Sequence, residues 1–266
     1  MNILFIGAHP DDCEVYGGGT AALFSQMGHK VKFISTTNGN AGHHQLMGNA
    51  LIDRRSAETV AAARILGVAY EVLNNDDGQL EPTFVNRSEI IRKIREWNAD
   101  IVVTHRPNDY HPDHRYTSIL VQDAAYLVMV PNLAMEVPPL QNNPAFFYFA
   151  DRFQKPYPFS PDVAVDISKT YDAKIQALHA HTSQFYEWLP WISGKSDEVP
   201  ESEEERISWL KQQWPNLPDK KTVESLKKWY GPERTRKVEQ AEGFELCEYG
   251  HQPNEGEIRQ LFPMLK

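Results

Sequence analysis

Short apolar runs alternate with helical stretches over the first two thirds of the chain. Residues 2–8 and 101–104 are apolar without polar alternation, which is typical of strands buried on both faces of a parallel sheet. Gly17-Gly18-Gly19 is expected to loosen the chain before the first helix. Strands are predicted at 2–8, 30–35, 68–73, 101–104, 146–149 and 163–166, and helices at 20–27, 51–66, 87–97, 114–129 and 169–181. This order predicts a doubly wound α/β fold, with a mostly parallel sheet and helices on both faces.

Residues 190–240 differ in composition from the rest of the chain. An acidic run at 197–205 is followed by a lysine-rich helical stretch that carries Trp209, Trp214 and Trp229. We predict one α/β domain over residues 1–266, with 190–240 as a helical insertion within it near the C-terminus. The insertion is interpreted as a lid, an oligomer contact or both; the alternative is a solvated helix whose tryptophans pack on the core.

The bulk composition narrows the classes of function. With 266 residues, 41% hydrophobic and 24% charged, the sequence is typical of a soluble globular protein. Its formal charge of −9 argues against nucleic-acid binding. No apolar run is long enough to predict a membrane span, and residues 1–7 enter a strand without the basic region of a signal peptide. Two cysteines give no disulfide framework, so we expect a cytoplasmic protein.

Two runs of histidine, proline and aspartate follow predicted strands. His9-Pro10-Asp11-Asp12 comes after strand 2–8, and His111-Pro112-Asp113-His114 comes after the loop that leaves strand 101–104. Ligands of open α/β folds bind at the carboxyl ends of strands, so both runs are candidates for one site. Adjacent carboxylates raise each other's pKa, and a bound cation is the simplest way to stabilise them.

A His/Asp/His set drawn from both runs matches the three protein ligands and open position of a catalytic zinc site. Such a metal lowers the pKa of its bound water to about 7 and polarises a carbonyl group. A spare carboxylate can then accept a proton, and a spare histidine can stabilise the oxyanion or protonate the leaving group. The alternative for each run is structural: an aspartate that caps a helix, and a loop histidine bonded to the backbone. The spacing of the residues does not divide these roles among them.

The first run, extended to Ala8-His9-Pro10-Asp11-Asp12-x-Glu14 with Gly18-Gly19, resembles the first signature of the PIG-L/LmbE-like zinc-dependent N-acetylglucosaminyl de-N-acetylases. The second run resembles the second signature of this family, which includes deacetylases of mycothiol and bacillithiol synthesis. The resemblance spans roughly 1–184 and 241–248. Weaker likenesses lie at Arg55-x-x-Glu58, Lys174, His181-x-Ser183-Gln184 and Ala241-Glu242-x-Phe244-Glu245.

The resemblance implies a Rossmann-like fold in which Zn²⁺ is held by His9, Asp12 and His114. It implies that Asp11 is the general base on the metal-bound water. It also implies that His111 stabilises the tetrahedral intermediate or protonates the amine. One aspartate and two histidines would also accept Fe²⁺, Co²⁺ or Mn²⁺.

Three further residues are predicted to contact the substrate. Arg55 resembles the substrate-contacting arginine of the family, although it can also pair with Asp53 or Glu58 on its own helix. Tyr110 precedes the second run and either lines the pocket or packs. Asn38 lies in the loop after strand 30–35, which is expected to face the ligand. Two histidines of this loop are expected to be surface residues: His43 and His44.

The predicted function is metal-dependent hydrolysis of the N-acetyl group of an amino sugar or N-acetylglucosamine-type conjugate. One alternative is an amidase that acts on a larger sugar–thiol conjugate. Another is a non-catalytic sugar-binding protein on the same fold. The expected partner is a small amino-sugar molecule, without nucleic acid. The oligomeric state stays open, with residues 190–240 as a candidate contact in a homo-oligomer.

Overall fold

A computed structural model describes residues 1–265 of the chain. The strands are β1 Asn2–Gly7, β2 Lys30–Ser35, β3 Ala69–Val72, β4 Ile101–Thr104, β5 Ala145–Phe149, β6 Val163–Asp166 and β7 Ala241–Gly250. The α-helices are α1 Asp12–Gln26, α2 Gly48–Leu66, α3 Phe84–Trp97, α4 Pro112–Leu127, α5 Tyr171–Ala180, α6 Leu189–Ile192, α7 Glu203–Gln213, α8 Lys220–Thr235 and α9 Glu255–Leu261. A π-helix spans Ser183–Trp188, and 3₁₀ turns span Ser196–Glu198 and Pro263–Leu265.

The seven strands form one sheet in the order β3-β2-β1-β4-β5-β7-β6. The first five in this order pair in parallel, whereas β7 is antiparallel to both of its neighbours. The predicted fold class, a doubly wound and mostly parallel α/β sheet of Rossmann-like type, is therefore confirmed. Among residues 1–265, no helix combines the length and the apolar character needed to cross a membrane.

Helices cover both faces of the sheet, which explains why β1 is apolar from Ile3 to Ile6. Ile3 and Phe5 face a core cluster that includes residues of α1, α2 and α5. Leu4 and Ile6 face the opposite cluster, which includes residues of α3 and α4. A strand with both faces buried has no position at which a polar side chain reaches water, so the polar alternation of an exposed sheet is absent.

The helix α1 begins earlier than the sequence predicted, because the three glycines lie inside it. A Cβ atom at Gly17 would lie 2.6 Å from the ring of Phe5, and one at Gly19 would lie 2.7 Å from Ile167. The missing side chains allow α1 to lie close against the sheet. The prediction that these glycines loosen the chain was wrong, since close packing of the helix outweighs their low helix propensity.

The insertion contains α6, α7 and α8 together with a 3₁₀ turn. Its tryptophans contact the rest of the chain: the Trp214 ring lies 4.9 Å from that of Phe185, and Trp229 Nε1 donates to the Asp162 carbonyl at 2.7 Å. Trp214 and Trp229 therefore follow the alternative prediction, in which the tryptophans of the insertion pack on the core. A role of residues 190–240 as a lid or an oligomer contact stays a prediction.

A buried ion pair ties α1 to α5 and β7. Lys174 Nζ lies 2.8 Å from Glu242 Oε1 and donates to the Val15 carbonyl at 2.7 Å. Glu242 also accepts the backbone N–H groups of Gly19, at 3.0 Å, and Thr20, at 2.8 Å. Both side chains are almost fully buried, so each charge depends on the other for its stabilisation.

Replacing Lys174 by Met is expected to lower the free energy of unfolding by about 3–5 kcal/mol, because Glu242 then stays buried without a countercharge. The double variant Lys174→Met/Glu242→Gln should recover part of this loss, since neither charge remains. Urea unfolding followed by circular dichroism measures both values. Equal stability of the wild type and the single variant would contradict the expectation.

Candidate metal centre and active site

The two His-Pro-Asp runs meet above the carboxyl ends of neighbouring strands. β1 pairs in parallel with β4, with Phe5 opposite Val103, so the segments that leave the two strands start side by side. The first run follows β1 directly, and the second begins α4 with His111 as its N-cap. His9 Nδ1 lies 3.2 Å from His114 Nε2. Residues that are distant in sequence therefore share one site.

Three donor groups at the centre of the site have the spacing of a tetrahedral metal site. Besides the contact between His9 and His114, the Asp12 carboxylate places Oδ2 3.5 Å from His9 Nδ1 and Oδ1 3.5 Å from His114 Nε2. Ligand atoms about 2.0–2.1 Å from a tetrahedral Zn²⁺ are separated from each other by about 3.3 Å. The three residues therefore fit a divalent metal ion.

Carboxylates behind both histidines leave the facing nitrogens free to bind metal. His9 Nε2 lies 3.3 Å from both Asp77 Oδ1 and Asp113 Oδ2, so it carries a ring proton, and Nδ1 is the nitrogen that faces the candidate metal position. His114 Nδ1 has no aligned hydrogen bond among the described residues, but Asp109 Oδ1 lies 3.2 Å away. This arrangement leaves His114 Nε2 as the ligand atom. A carboxylate behind a ligating histidine is the usual support in metal sites.

Asp12 is held as an ionised ligand. Its Oδ2 atom accepts the backbone N–H groups of Ala8, at 2.9 Å, and His9, at 2.7 Å. Burial acts to raise the pKa of Asp12, but the charge of His114 and the hydrogen bonds of His105 and His9 hold that pKa well below its ordinary value. The orientation of the carboxylate is thus fixed by backbone groups at the end of β1.

Asp11 is the freer carboxylate of the pair. Within residues 1–265 its side chain accepts no hydrogen bond, and its closest charged partner is Arg55, with Nη2 3.4 Å from Oδ2. Burial raises the pKa of Asp11 to about 6, although the charge of Arg55 acts to lower it. Its backbone φ of 156° is unusual for a residue other than glycine. A carboxylate with a pKa near 6 is suited to accept a proton at neutral pH.

His111 is placed as a hydrogen-bond donor. Its Nδ1 atom accepts the backbone N–H of Asp113 at 3.2 Å, so the neutral ring carries its proton on Nε2. The donor atoms of His111 lie within 4.8 Å of those of His9 and His114, but this ring has no lone pair left for a metal. Burial, together with the charges of His9 and His114, lowers the pKa of His111 and favours the neutral form.

His105 is a second candidate ligand, which the sequence analysis did not single out. Its Nε2 atom lies 3.2 Å from Asp12 Oδ2, and it forms a cluster of donors with Asp12 and His114. Burial and the charge of His114 lower the pKa of His105 to about 4, so the ring is neutral. The same Nε2 atom lies 3.1 Å from the Ala8 nitrogen. In either tautomer Nε2 is therefore engaged, with the Ala8 N–H or with Asp12.

Arg55 is buried between two loops rather than exposed in a pocket. It is 2% exposed and donates to the carbonyl groups of Pro10, at 3.0 Å, and Gly39, at 3.3 Å. Its charged partners are Asp11, at 3.4 Å, and Asp77, at 3.9 Å, not the acidic residues of its own helix. Arg55 thus joins the carboxylate of Asp11 to the loop that follows β2.

The other two predicted substrate contacts lie at different depths. Tyr110 is 72% exposed, and its ring lies 5.7 Å from that of His111, at the rim of the site. Asn38 is buried, and its amide donates to Asp76 Oδ1 at 3.1 Å. Tyr110 is therefore open to solvent beside the site, whereas the amide of Asn38 is bonded to the loop that follows β3.

The loop after β2 differs from the prediction at one histidine. His43 was expected on the surface, but it is buried, with Nε2 2.9 Å from Glu187 Oε2. Its Nδ1 accepts the backbone N–H groups of Gln45 and Leu46, both at 3.1 Å. The prediction was wrong because the partner carboxylate comes from a segment more than 140 residues away in sequence.

Two acidic residues behind the metal ligands were not singled out from the sequence. Asp77 lies in the polar cluster that follows β3, and Asp109 lies in the loop that follows β4. Their positions at strand ends were the available signal. Turn chemistry explains the same polar residues equally well, however, and the direction of each side chain depends on the packed loops.

An open α/β sheet with buried histidines and carboxylates at its strand ends defines the class of metal-dependent α/β enzymes. The family model described as GlcNAc-PI de-N-acetylase, PIG-L, matches residues 4–125. A diacetylchitobiose deacetylase of Thermococcus kodakarensis is 32% identical over 206 residues, which cover 71% of this chain and 74% of that protein. The chain belongs to the PIG-L family of de-N-acetylases.

Solved structures agree with this assignment. The N,N'-diacetylchitobiose deacetylase from Pyrococcus horikoshii is 25% identical, with a TM-score of 0.68 over 92% of this chain and 83% of that chain. The curated relatives also include a protein of another named activity, a 4-oxalmesaconate hydratase of Pseudomonas putida, which is 22% identical over 196 residues, 70% of this chain and 74% of that protein. The predicted family, fold class and enzyme class, a deacetylase that hydrolyses amide bonds, are confirmed.

The ligand set leads to a prediction about metal content. His9→Ala and His114→Ala are expected to lose at least 90% of the bound metal, roughly what removal of one of three ligands implies. Asp11→Asn and His105→Gln should keep it, because the Asp11 carboxylate is paired with Arg55 and His105 Nε2 is engaged with the Ala8 N–H or with Asp12. Elemental analysis after dialysis measures the metal. Loss of metal in His105→Gln would contradict the assignment and favour Asp12, His105 and His114 as the ligands.

Proposed function

We propose that the chain hydrolyses the acetamide of an N-acetylated amino sugar, with a divalent metal held by His9, Asp12 and His114. The observation that carries this proposal is the different environment of two adjacent carboxylates. Asp12 is fixed by backbone N–H groups, whereas Asp11 accepts no hydrogen bond within residues 1–265 and has a pKa near 6. The relatives named as deacetylases of acetylated amino sugars support the substrate class.

Zn²⁺ is the proposed ion, and the same donors also suit Fe²⁺, Co²⁺ or Mn²⁺. When bound, such an ion polarises the acetamide carbonyl and makes water more acidic. Asp11 is proposed as the general base, which accepts a proton from the water that attacks the carbonyl carbon. Arg55, 3.4 Å from Asp11, holds the base in place.

His111 is proposed to assist bond cleavage from the other side of the site. Its Nε2–H is free to donate to the developing oxyanion, because Nδ1 is bonded to the Asp113 N–H. The bond between the carbonyl carbon and the sugar nitrogen then breaks, and the amine leaves with the proton that Asp11 accepted from the water. The products are acetate and the free amino sugar.

The residues predicted to contact the substrate are assigned different roles. Tyr110, exposed at the rim beside His111, is proposed to contact the sugar directly. Arg55 and Asn38 are bonded to loop groups, so they are proposed to shape the pocket rather than to bind the sugar. A cytoplasmic location is also proposed, supported by two buried cysteines that are free of disulfides, Cys13 and Cys247.

The test is acetate release from a panel of acetylated amino sugars that includes N-acetylglucosamine and diacetylchitobiose. Asp11→Asn should lower kcat by roughly 10²–10⁴-fold, because it removes the general base. Metal content, measured on the same samples, should be unchanged. The proposal fails if the metal-loaded wild type releases no acetate from any member, or if Asp11→Asn retains full activity.

A further inference from the structure

The loop between β2 and α2, residues 39–47, lies directly over two residues that support the proposed site. A Cβ atom at Gly39 would come within 2.4 Å of Arg55 Nη1, and one at Gly42 would lie 3.1 Å from both Arg55 Nη1 and Asp77 Oδ2. Arg55 contacts Asp11, and Asp77 contacts His9. The loop is thus separated by one side chain from the proposed base and from one proposed metal ligand.

The carboxylate of Glu187 joins this loop to the π-helix and to α2. Because His43 Nδ1 accepts the N–H groups of Gln45 and Leu46, its proton lies on Nε2 and is donated to Glu187 Oε2 at 2.9 Å. Glu187 also accepts two hydrogen bonds from Arg54, with Nη1 at 2.8 Å from Oε2. The loop, α2 and the π-helix therefore meet at one side chain.

Two further contacts connect the loop with the π-helix and with α6, which follows it. Gln184 Nε2 donates to the Gly42 carbonyl at 3.1 Å. The ring of His44 stacks on that of Trp191, with centroids 5.0 Å apart and an angle of 8° between the planes. Gln184 and Glu187 both belong to the π-helix. This conformation is rare in proteins, and where it occurs it is often at a functional site.

The π-helix is itself anchored to α2. Glu58 accepts the backbone N–H of Ser183 at 2.9 Å, the Ser183 hydroxyl at 2.6 Å and the Thr182 hydroxyl at 2.9 Å. Its Oε1 atom also lies 3.3 Å from Arg54 Nε. The position of Glu187 is therefore set by buried contacts that do not involve the metal centre.

We propose that Glu187 is a positioning residue for the deacetylase reaction. By holding His43, it keeps residues 39–47 packed on Arg55 and Asp77, which in turn hold Asp11 and His9. This inference deepens the proposed function and rests on it for its kinetic readout. Loop order is a second readout that needs no activity.

The test compares Glu187→Gln with the wild type by hydrogen exchange and kinetics. The amide has only one acceptor oxygen, and its NH₂ group would face a donor of either His43 or Arg54, so it cannot hold both and the connection from His43 through residue 187 to Arg54 is broken. We expect amides of residues 40–47 to exchange at least tenfold faster, while β1 and α1 exchange as in the wild type. We expect kcat for acetate release to fall by roughly five- to fiftyfold, with KM changed less than threefold and metal retained.

The matched control is Glu198→Gln, the same chemical change at an exposed carboxylate that is 3.9 Å from Lys195 and has no contact with the loop within the described residues. It should change neither exchange nor kcat. The double variant His43→Asn/Glu187→Gln should be no slower than the slower single variant, because the two changes break the same connection, that between residues 43 and 187.

The proposal is overturned if exchange of residues 40–47 is unchanged in Glu187→Gln. It is also overturned if exchange accelerates without any loss of kcat, or if only KM rises. If the wild type releases no acetate from any substrate, the proposed function fails, but accelerated exchange confined to residues 40–47 still identifies the contact that holds the loop.

Discussion

The site depends on the hydrogen bonds between the Asp12 carboxylate and the backbone that leaves β1. Oδ2 accepts the N–H groups of Ala8 and His9, so the side chain closes the segment that joins the strand to α1. This closure turns Oδ1 towards His114 and leaves Asp11 on the other side. One set of backbone hydrogen bonds thus separates a proposed metal ligand from a proposed base in adjacent residues.

The buried carboxylates of the site are tolerated because they surround groups that can carry positive charge, such as His9. Burial alone would lower the pKa of His9, but hydrogen bonds to Asp113, Asp12 and Asp77 raise it well above its ordinary value. A cation at the facing nitrogen satisfies the same surplus of negative charge. Beneath the first run, the fully buried His181 lies 2.9 Å from Glu14, and its charge acts to lower the pKa of Asp11.

The sequence predicted the parts of the molecule that follow from local pattern. The apolar runs identified six of the seven strands, and strand ends located the candidate metal centre, because parallel neighbours deliver their loops to one edge. The start of α1 was missed, because the close approach of Gly17 to Phe5 depends on tertiary packing, which the local sequence does not show. Asp77 and the burial of His43 were missed for the same reason: their partners lie in distant segments, and propensity contains no information about them.

Several residues of the weaker family motifs, on α2 and on the π-helix, are joined by contacts into one structural unit. Arg55 and Glu58 lie on successive turns of α2: the first holds Asp11, and the second holds the π-helix through Ser183. Gln184 then reaches the loop that covers Arg55. These residues therefore form a closed circuit of contacts beside Asp11, and a shift in any one of them would change the support of the proposed base. In the proposed function, pocket shape and catalysis are coupled, because Arg55 both lies against residues 39–47 and contacts the proposed base, Asp11.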